Sequence, residues 1–385
     1  MASRSRIIAG LTALCVVWLL GIVRVAGQAP AQEKPVLSDE FFKNIQVLKG
    51  IPVDEFLDTM GMFAASTGLN CTDCHIPESG GSWARYADDN QLKRTTRGMV
   101  ALVNNINRTN FGGRTVLTCY SCHNGNRRPR VIPSLAAQYA VEPLIDDPYE
   151  IVPAGGAPSA DAVLDKYIRA VGGAARVASV TSVVSKGTYR GYDDFEMYPL
   201  DIFAVAPNQR TMILHTQYGD QTTTYDGRSG WVAAPVETKP QPVMVLTGSN
   251  LEGAALDAEL AFPGRIKQVL GAGLVVGPLT VIGDTDVRIV QGKKASGLPI
   301  KLYFEEESGL LTRVVRYSES PVGRVPTQID YSDYRDVSGV KIPFKWTSTW
   351  TDGRTVFELS SVEVNTRIDA TRFAKPTPPA PAAPR

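Results

Sequence analysis

Two short segments constrain this chain more than anything else in it. "CTDCHIPESG" begins at Cys71 and "CYSCHNGNRR" at Cys119, and each sets two cysteines three positions apart with a histidine directly behind the second. Two intervening residues make a single turn, which brings both sulfurs to one edge. From there they can form thioethers to the two vinyl groups of one haem, while the adjacent histidine reaches the iron. Other chemistries need other surroundings. A four-cysteine zinc site could use both pairs but would leave the two histidines unexplained. A thioredoxin-like pair needs a βαβ context, which is absent. A pair of structural disulfides is the plainest alternative.

The N-terminus bears on the choice. Arg4 and Arg6 precede an apolar run from Ile7 to Val23, and "VRVAGQAPAQ" supplies small residues suited to cleavage after Gly27. That is the plan of a signal peptide over residues 1–27, with an uncleaved membrane anchor as the rival. Cys15 follows Leu14, not the small residue a lipid-modified cysteine requires, and reads as part of the apolar run. Removing the leader leaves Cys71, Cys74, Cys119 and Cys122, all inside the two motifs. Export places them in an oxidising compartment, where idle thiols are a liability. The reading is therefore two covalently bound haem c groups on these four cysteines, with His75 and His123 as iron ligands.

Each iron wants a sixth ligand, and histidine is scarce. His75, His123 and His215 are all there are. His215 alternates with Ile213 and Thr211 in a strand pattern and reads as structural. Methionine is the next choice. In "IPVDEFLDTMGMF", Val53, Phe56, Leu57 and Met60 fall on one helical face, with Pro52, Asp54 and Glu55 suiting the helix start. Met62 turns to roughly the opposite side, so Met60 is favoured. In "NQLKRTTRGMVALVNNINR", Leu92, Met99 and Ile106 recur every seventh residue, with Leu102 and Val103 between them, and Met99 lies on the apolar face. Both methionines read as core residues without haem, and as ligands with it.

The chain thus repeats a unit: an amphipathic helix bearing Met, a loop, then Cys-x-x-Cys-His. "NIQVLKGIPVDEFLDTMGMF…CTDCH…RGMVALVNNINRTNF…LTCYSCHNGNRRP" resembles two haem units of the cytochrome subunit of photosynthetic reaction centres, over roughly Phe41 to Arg130. That family passes electrons along a chain of haems, and the resemblance implies that Met60 and Met99 are sixth ligands. This chain has two motifs where that subunit has four, lacks its extra histidine and adds a large C-terminal part. A respiratory or other periplasmic role is as compatible as a photosynthetic one.

After the second motif, residues 131–158 read as a Pro- and Gly-rich linker. Arg127, Arg128 and Arg130 stand where they can pair with haem propionates, face an acidic partner or simply be solvated. "SADAVLDKYIRAVGG" predicts a short helix with a capping Ser and a Gly stop. Strand patterns then run to the C-terminus ("SVVSKGTYRG", "PLDIFAVA", "QRTMILHTQ", "TTTYDGRSGWVAAP", "VRIVQG", "IKLYFEEESGLLTRVVRYSE" and onward), interrupted by a helical stretch, "NLEGAALDAELAFPGRIKQVL". Glu-Ser-Gly, Val-Ser-Gly and Asp-Gly mark hairpins. The expected fold class is α+β: a mainly α dihaem domain over 36–130, then a separate antiparallel sheet over 159–372, similar in pattern to the half-barrel of periplasmic lipoprotein carriers. A Pro/Ala-rich tail takes 373–385.

The net charge of +1 and mixed surface charges argue against a nucleic-acid binder. No catalytic constellation stands out. The expectation is an exported electron carrier, not an enzyme, in the periplasm and tethered to the inner membrane if the leader is kept. Its partners would be redox proteins, a membrane complex among them, with an apolar ligand conceivable in the sheet. Two other classes stay open. A dihaem peroxidase would need an iron lacking a sixth ligand, and a lipid or lipoprotein carrier with a haem sensor would need a dry apolar cavity.

Overall fold

The computed structural model describes residues 33–75, 83–135, 149–192 and 194–379. The expected leader, much of the expected linker and the end of the tail lie outside the described residues. From Pro35 onward the chain forms one compact unit.

The N-terminal part is helical. Helix α1 is Ser38–Phe41, α2 Val53–Thr67, α3 Cys71–Cys74, α4 Gln91–Asn110 and α5 Cys119–His123. Local chemistry sets their limits. Pro52 occupies the N-cap of α2, Asp54 and Glu55 complement its first turn, and Gly68 ends it in the left-handed region at φ 67°. Asn90 caps α4 by accepting from the Lys93 amide at 3.0 Å.

The rest is a sheet carrying helices α6 (Ala160–Ala170), α7 (Ala174–Ala178), α8 (Gly248–Leu260) and α9 (Ile266–Val269). Ser159 caps α6 as expected, accepting from the Ala162 amide at 3.2 Å. The strands are β1 Ser182–Arg190, β2 Tyr198–Val205, β3 Gln209–Thr216, β4 Gly219–Tyr225, β5 Gly230–Ala233, β6 Val243–Val245, β7 Ala272–Ile282, β8 Thr285–Lys293, β9 Pro299–Glu305, β10 Leu311–Ser320, β11 Gly323–Val337, β12 Val340–Trp350 and β13 Gly353–Val364. They form one antiparallel sheet in the order β6-β5-β4-β3-β2-β1-β13-β12-β11-β10-β9-β8-β7. The sheet is thus two meanders joined where β1 pairs with β13. Hairpin chemistry is where the sequence predicts it: Ser338 and Gly339, both at positive φ, turn β11 into β12. The expected strand "TTTYDGRSGWVAAP" is in fact the hairpin β4–β5, turned by Asp226, whose side chain accepts from the Arg228 and Ser229 amides.

Helix α8 touches β3, β4 and β5 and also β10, six places from β3 in the sheet order. At about 4.8 Å per strand, a flat sheet would put β3 and β10 about 29 Å apart. A helix of this length spans only about 20 Å. The sheet therefore curls around α8. The main core fills the space between them, with Leu164, Tyr167, Leu256, Phe262, Ile266 and Val269 packed on Leu302, Phe304, Val314 and Ile329.

The helical segment is fastened to this same side of the sheet. Arg316 of β10 faces Asp257 of α8, and Ser318, two residues on, donates to Asp58 of α2 at 2.9 Å. Met62, Val100 and Cys119 pack against Val322 and Val325 at the β10–β11 turn. Trp83 Nε1 donates to the Val236 carbonyl at 2.5 Å. Phe373, at the start of the expected tail, is buried, and Thr211 donates to the neighbouring Arg372 carbonyl at 2.7 Å.

Candidate haem sites

The two motifs are built alike. Each is a single helical turn closed by a reciprocal cap. Before Cys71, Asn70 Oδ1 accepts from the Asp73 amide at 3.0 Å, and Asp73 Oδ2 accepts from the Asn70 amide at 2.8 Å. Before Cys119, Thr118 Oγ1 accepts from the Ser121 amide at 3.3 Å, and Ser121 Oγ accepts from the Thr118 amide at 3.1 Å. These capping boxes fix the turn that sets the cysteine spacing. Their polar pairs were legible in the sequence, three residues apart, but are hidden by the louder cysteines.

Both histidines are held by the same nitrogen. His75 Nδ1 lies 3.1 Å from the Tyr86 carbonyl, and His123 Nδ1 lies 2.9 Å from the Asn126 carbonyl. A carbonyl can only accept, so each Nδ1 carries a proton, and it is Nε2 that is left to meet a metal in the neutral ring. The His75 ring stacks on Tyr86 with centroids 4.4 Å apart. Burial, reinforced by the Lys93 ammonium, holds its pKa below the usual histidine value, which favours the neutral ring. Burial also pushes the thiols of Cys71, Cys74 and Cys119 up, with Asp352 adding to the effect at Cys71 and Asp73 at Cys74. Redox-active pairs depend on a lowered thiol pKa, which such surroundings oppose. The four sulfurs form no disulfide. Among the described residues, no group of three or more His, Cys, Asp or Glu side chains is gathered as a zinc site would gather it.

The two units hold each other. Asn90, at the start of α4, donates to the Cys74 carbonyl of the first motif at 2.6 Å. Asn107, buried near the end of α4, accepts from the Val116 and Leu117 amides and donates to the Leu117 carbonyl, fixing the approach to the second motif. In return α2, the helix of the first unit, packs against α5. The Gly125 amide, just past the second motif, donates to Ser66 of α2 at 3.0 Å. Gly68 lies so close to the Gly125 carbonyl that a side chain there would collide with it. The cap that Asn90 gives α4 is a local signal, but its bond to the Cys74 carbonyl and the role of Asn107 reach backbone atoms that no sequence pattern points to.

The methionines divide. Met62 is buried among Val100, Cys119, Val322 and Val325, a packing role on the sheet. Met60 is half-buried on α2. The α4 stripe does not bury as the sequence suggests: Val100 and Asn107 face protein, whereas Met99 is 41% exposed and Leu102 also faces outward. An outward apolar stripe behind a Cys-x-x-Cys-His turn fits a flat apolar group laid against it. Together with the free Nε2 atoms, the residues present fit haem. His215 does not join them. Its Nδ1 lies 2.8 Å from Asp220 and its Nε2 3.2 Å from Asp201, so both nitrogens are taken. Arg127, Arg128 and Arg130 are exposed.

Where α2 meets α8 and the sheet there is a cavity of about 220 Å³, lined by Asp54, Asp58, Lys239, Asp257 and Arg316 beside Leu57 and Met244. It is smaller than typical ligand pockets of about 300–1,000 Å³. Its charged wall is unlike the dry apolar cavity that a lipid carrier would need.

Residues 22–142 match the family described as photosynthetic reaction centre cytochrome C subunit. The chain is 37% identical over 99 residues to the photosynthetic reaction center cytochrome c subunit of Thermochromatium tepidum, which is 24% of this chain and 23% of that protein. The match thus spans about a quarter of the relative's length. This stretch resembles a c-type cytochrome, which implies a cytochrome role and covalently bound haem c. Among solved structures, the chain is similar to a LolA superfamily protein from Nitrosomonas europaea at 16% identity and a TM-score of 0.39, covering 56% of this chain and 97% of that one. A DUF1329 family protein from Desulfovibrio piger is similar at 12% identity and a TM-score of 0.39, covering 55% and 96%.

Proposed function

We propose that this protein is an exported dihaem c-type cytochrome that carries electrons between redox partners in the periplasm. One observation carries the reading: two Cys-x-x-Cys-His turns with the same cap, each presenting a histidine whose Nδ1 proton is given to a backbone carbonyl. Cys71 and Cys74 would hold one haem and Cys119 and Cys122 the other, with His75 and His123 on the irons. Met60 and Met99 complete the two sets. Bound haem supplies a reversible one-electron change. The chain's own residues orient the imidazoles and present apolar surface beside them. Two histidine–methionine sets raise both potentials relative to two-histidine ligation. Electron transfer by haem needs no acid–base or nucleophilic group of the chain, so this reading is that of a carrier and not of an enzyme.

Intact-mass spectrometry of the denatured mature protein tests it. Two haem additions are expected, falling to one when Cys71 and Cys74 are both replaced by alanine. A single addition in the native chain, or zinc with no haem, overturns the proposal.

A further inference from the structure

Charge is divided unevenly between the two motif units. From Ser38 to Asp89 the sequence has nine Asp and Glu against three Lys and Arg. Between Asp89 and Glu142 it has eight Lys and Arg and no acidic residue at all. Three of the eight lean toward the first unit: Arg94 and Arg97 pair with Asp89, and Lys93 donates to the Asp88 carbonyl. The other five, Arg108, Arg114, Arg127, Arg128 and Arg130, are exposed. Among the described residues none of the five has an acidic partner; Arg108, Arg114 and Arg130 bind only uncharged groups of Asn105, Phe111 and Asn126.

The last three arginines sit in the loop leaving the second motif, and that loop is tied to the motif itself. Arg130 Nη2 donates to Asn126 Oδ1 at 3.3 Å, and the Asn126 carbonyl is the acceptor for His123 Nδ1 at 2.9 Å. The same stretch exposes Tyr120, and Val131 and Ile132 are 90% and 77% exposed. Apolar side chains flanked by arginines, with an aromatic among them, have the composition of a transient protein interface. Arginine suits it further, being weakly hydrated and able to grip carboxylates with two donors.

We propose that this face, at the edge of the second motif, docks an acidic electron-transfer protein. The inference rests on the function proposed above and names the partner's chemistry. An anionic membrane is the weaker fit: a bilayer is broad and would also meet the acidic first unit, whereas a small protein can address one pole. Opposite charge steers such an encounter and makes it sensitive to salt.

The test uses the full mature protein and labelled flavodoxin as the acidic probe, with a basic mitochondrial-type cytochrome c as control, and reads association by fluorescence anisotropy. Flavodoxin should bind more tightly than the control, and its affinity should fall at least about tenfold between roughly 10 mM and roughly 0.5 M salt. Replacing Arg127, Arg128 and Arg130 together by Gln should weaken binding at low salt by a similar factor, and replacing them by Glu should weaken it further, with haem content and potentials unchanged. Equal binding of probe and control overturns the proposal, as does a triple variant that binds normally. So does a triple variant that loses a haem or shifts a potential, which would assign the arginines to the haem site, through a propionate or through Asn126 and His123. Phosphatidylglycerol vesicles that displace flavodoxin would make the face a membrane contact and overturn it too. Haem counted by intact mass on the same preparations separates the two readings. Salt-sensitive flavodoxin binding without haem sinks electron transfer and leaves the docking face; two haems without such binding sink the docking face alone.

Discussion

The Asp54 carboxylate caps the helix that Thr247 begins. One oxygen accepts from the Thr247 amide at 2.7 Å and the other from Thr247 Oγ1 at 2.9 Å, while Thr247 makes no side-chain cap of its own. A residue of α2 thereby satisfies an otherwise unpaired donor of α8 and complements its dipole. Asp54 is buried, so its loss leaves donors without water to replace it. Asp54→Ala is expected to cost about 1–3 kcal/mol in urea unfolding, and Asp54→Asn less, since an acceptor remains. An unfolding midpoint unchanged in Asp54→Ala would show that the two helices are not joined through this contact.

Leucine nearly preserves the volume of methionine, so Met60→Leu and Met99→Leu should fold. Each should remove the sulfur-to-iron absorption of one haem and lower its potential. Met62→Leu should change neither spectrum nor potential, whereas Met62→Ala should cost about 2–5 kcal/mol of stability, because that side chain fills the contact with Val322 and Val325. Loss of the sulfur band in Met62→Leu, with Met60→Leu intact, would reverse the assignment on α2.

His215 gives a pH signature. Burial pulls its pKa down, but the hydrogen bonds to Asp220 and Asp201 outweigh burial and raise it above the ordinary value. A raised folded-state pKa means the contribution is complete below the unfolded histidine's value of about 6.5 and fades as pH climbs through the folded value. The difference in urea midpoint between the native chain and His215→Gln should therefore be larger at mildly acidic pH than in alkali. A difference that grows with pH would contradict the pairing.

Gly187 lies in the β1–β13 pairing, next to a shift of register after Lys186. A β-carbon there would meet the Glu358 carbonyl and lie 2.8 Å from Leu359 Cα, both backbone atoms of the facing strand. Gly187→Ala should destabilise the protein by about 1–3 kcal/mol, seen as a lower thermal midpoint. A neutral outcome would mean that the two strands can separate there without cost.

What could be read from sequence follows the range of the interactions. Helices α2, α4 and α6 and the Ser-Gly hairpins rest on caps and periodicity within a few residues, and all are present. Strand β7 has no clear strand pattern because Gly273, Gly277 and Pro278 interrupt it, and it is an edge strand whose register shifts twice against β8. Strand β6 has only three residues. At the site, the cysteines and histidines announce themselves. The apolar stripe on α4 does not say whether protein or cofactor will cover it, and Met99, read from sequence as an iron ligand, lies outward on that stripe. Asp54 on Thr247, Asn90 on Cys74 and Asn107 on Leu117 act on partners that no local pattern links to them.

The burial of Cys119 bears on the order in which the molecule is assembled. Its side chain lies beneath Val322 and Val325, which belong to a hairpin made some 200 residues later in the chain. Pairing of β1 with β13, Val183 opposite Val364, waits longer still, for nearly the last strand. Contacts between such distant parts form late, because the intervening chain must first be confined. Whatever is to be bonded to Cys119 has therefore to arrive while the sheet is still open. Haem offered to the finished fold should meet an accessible sulfur at Cys71 and a closed door at Cys119.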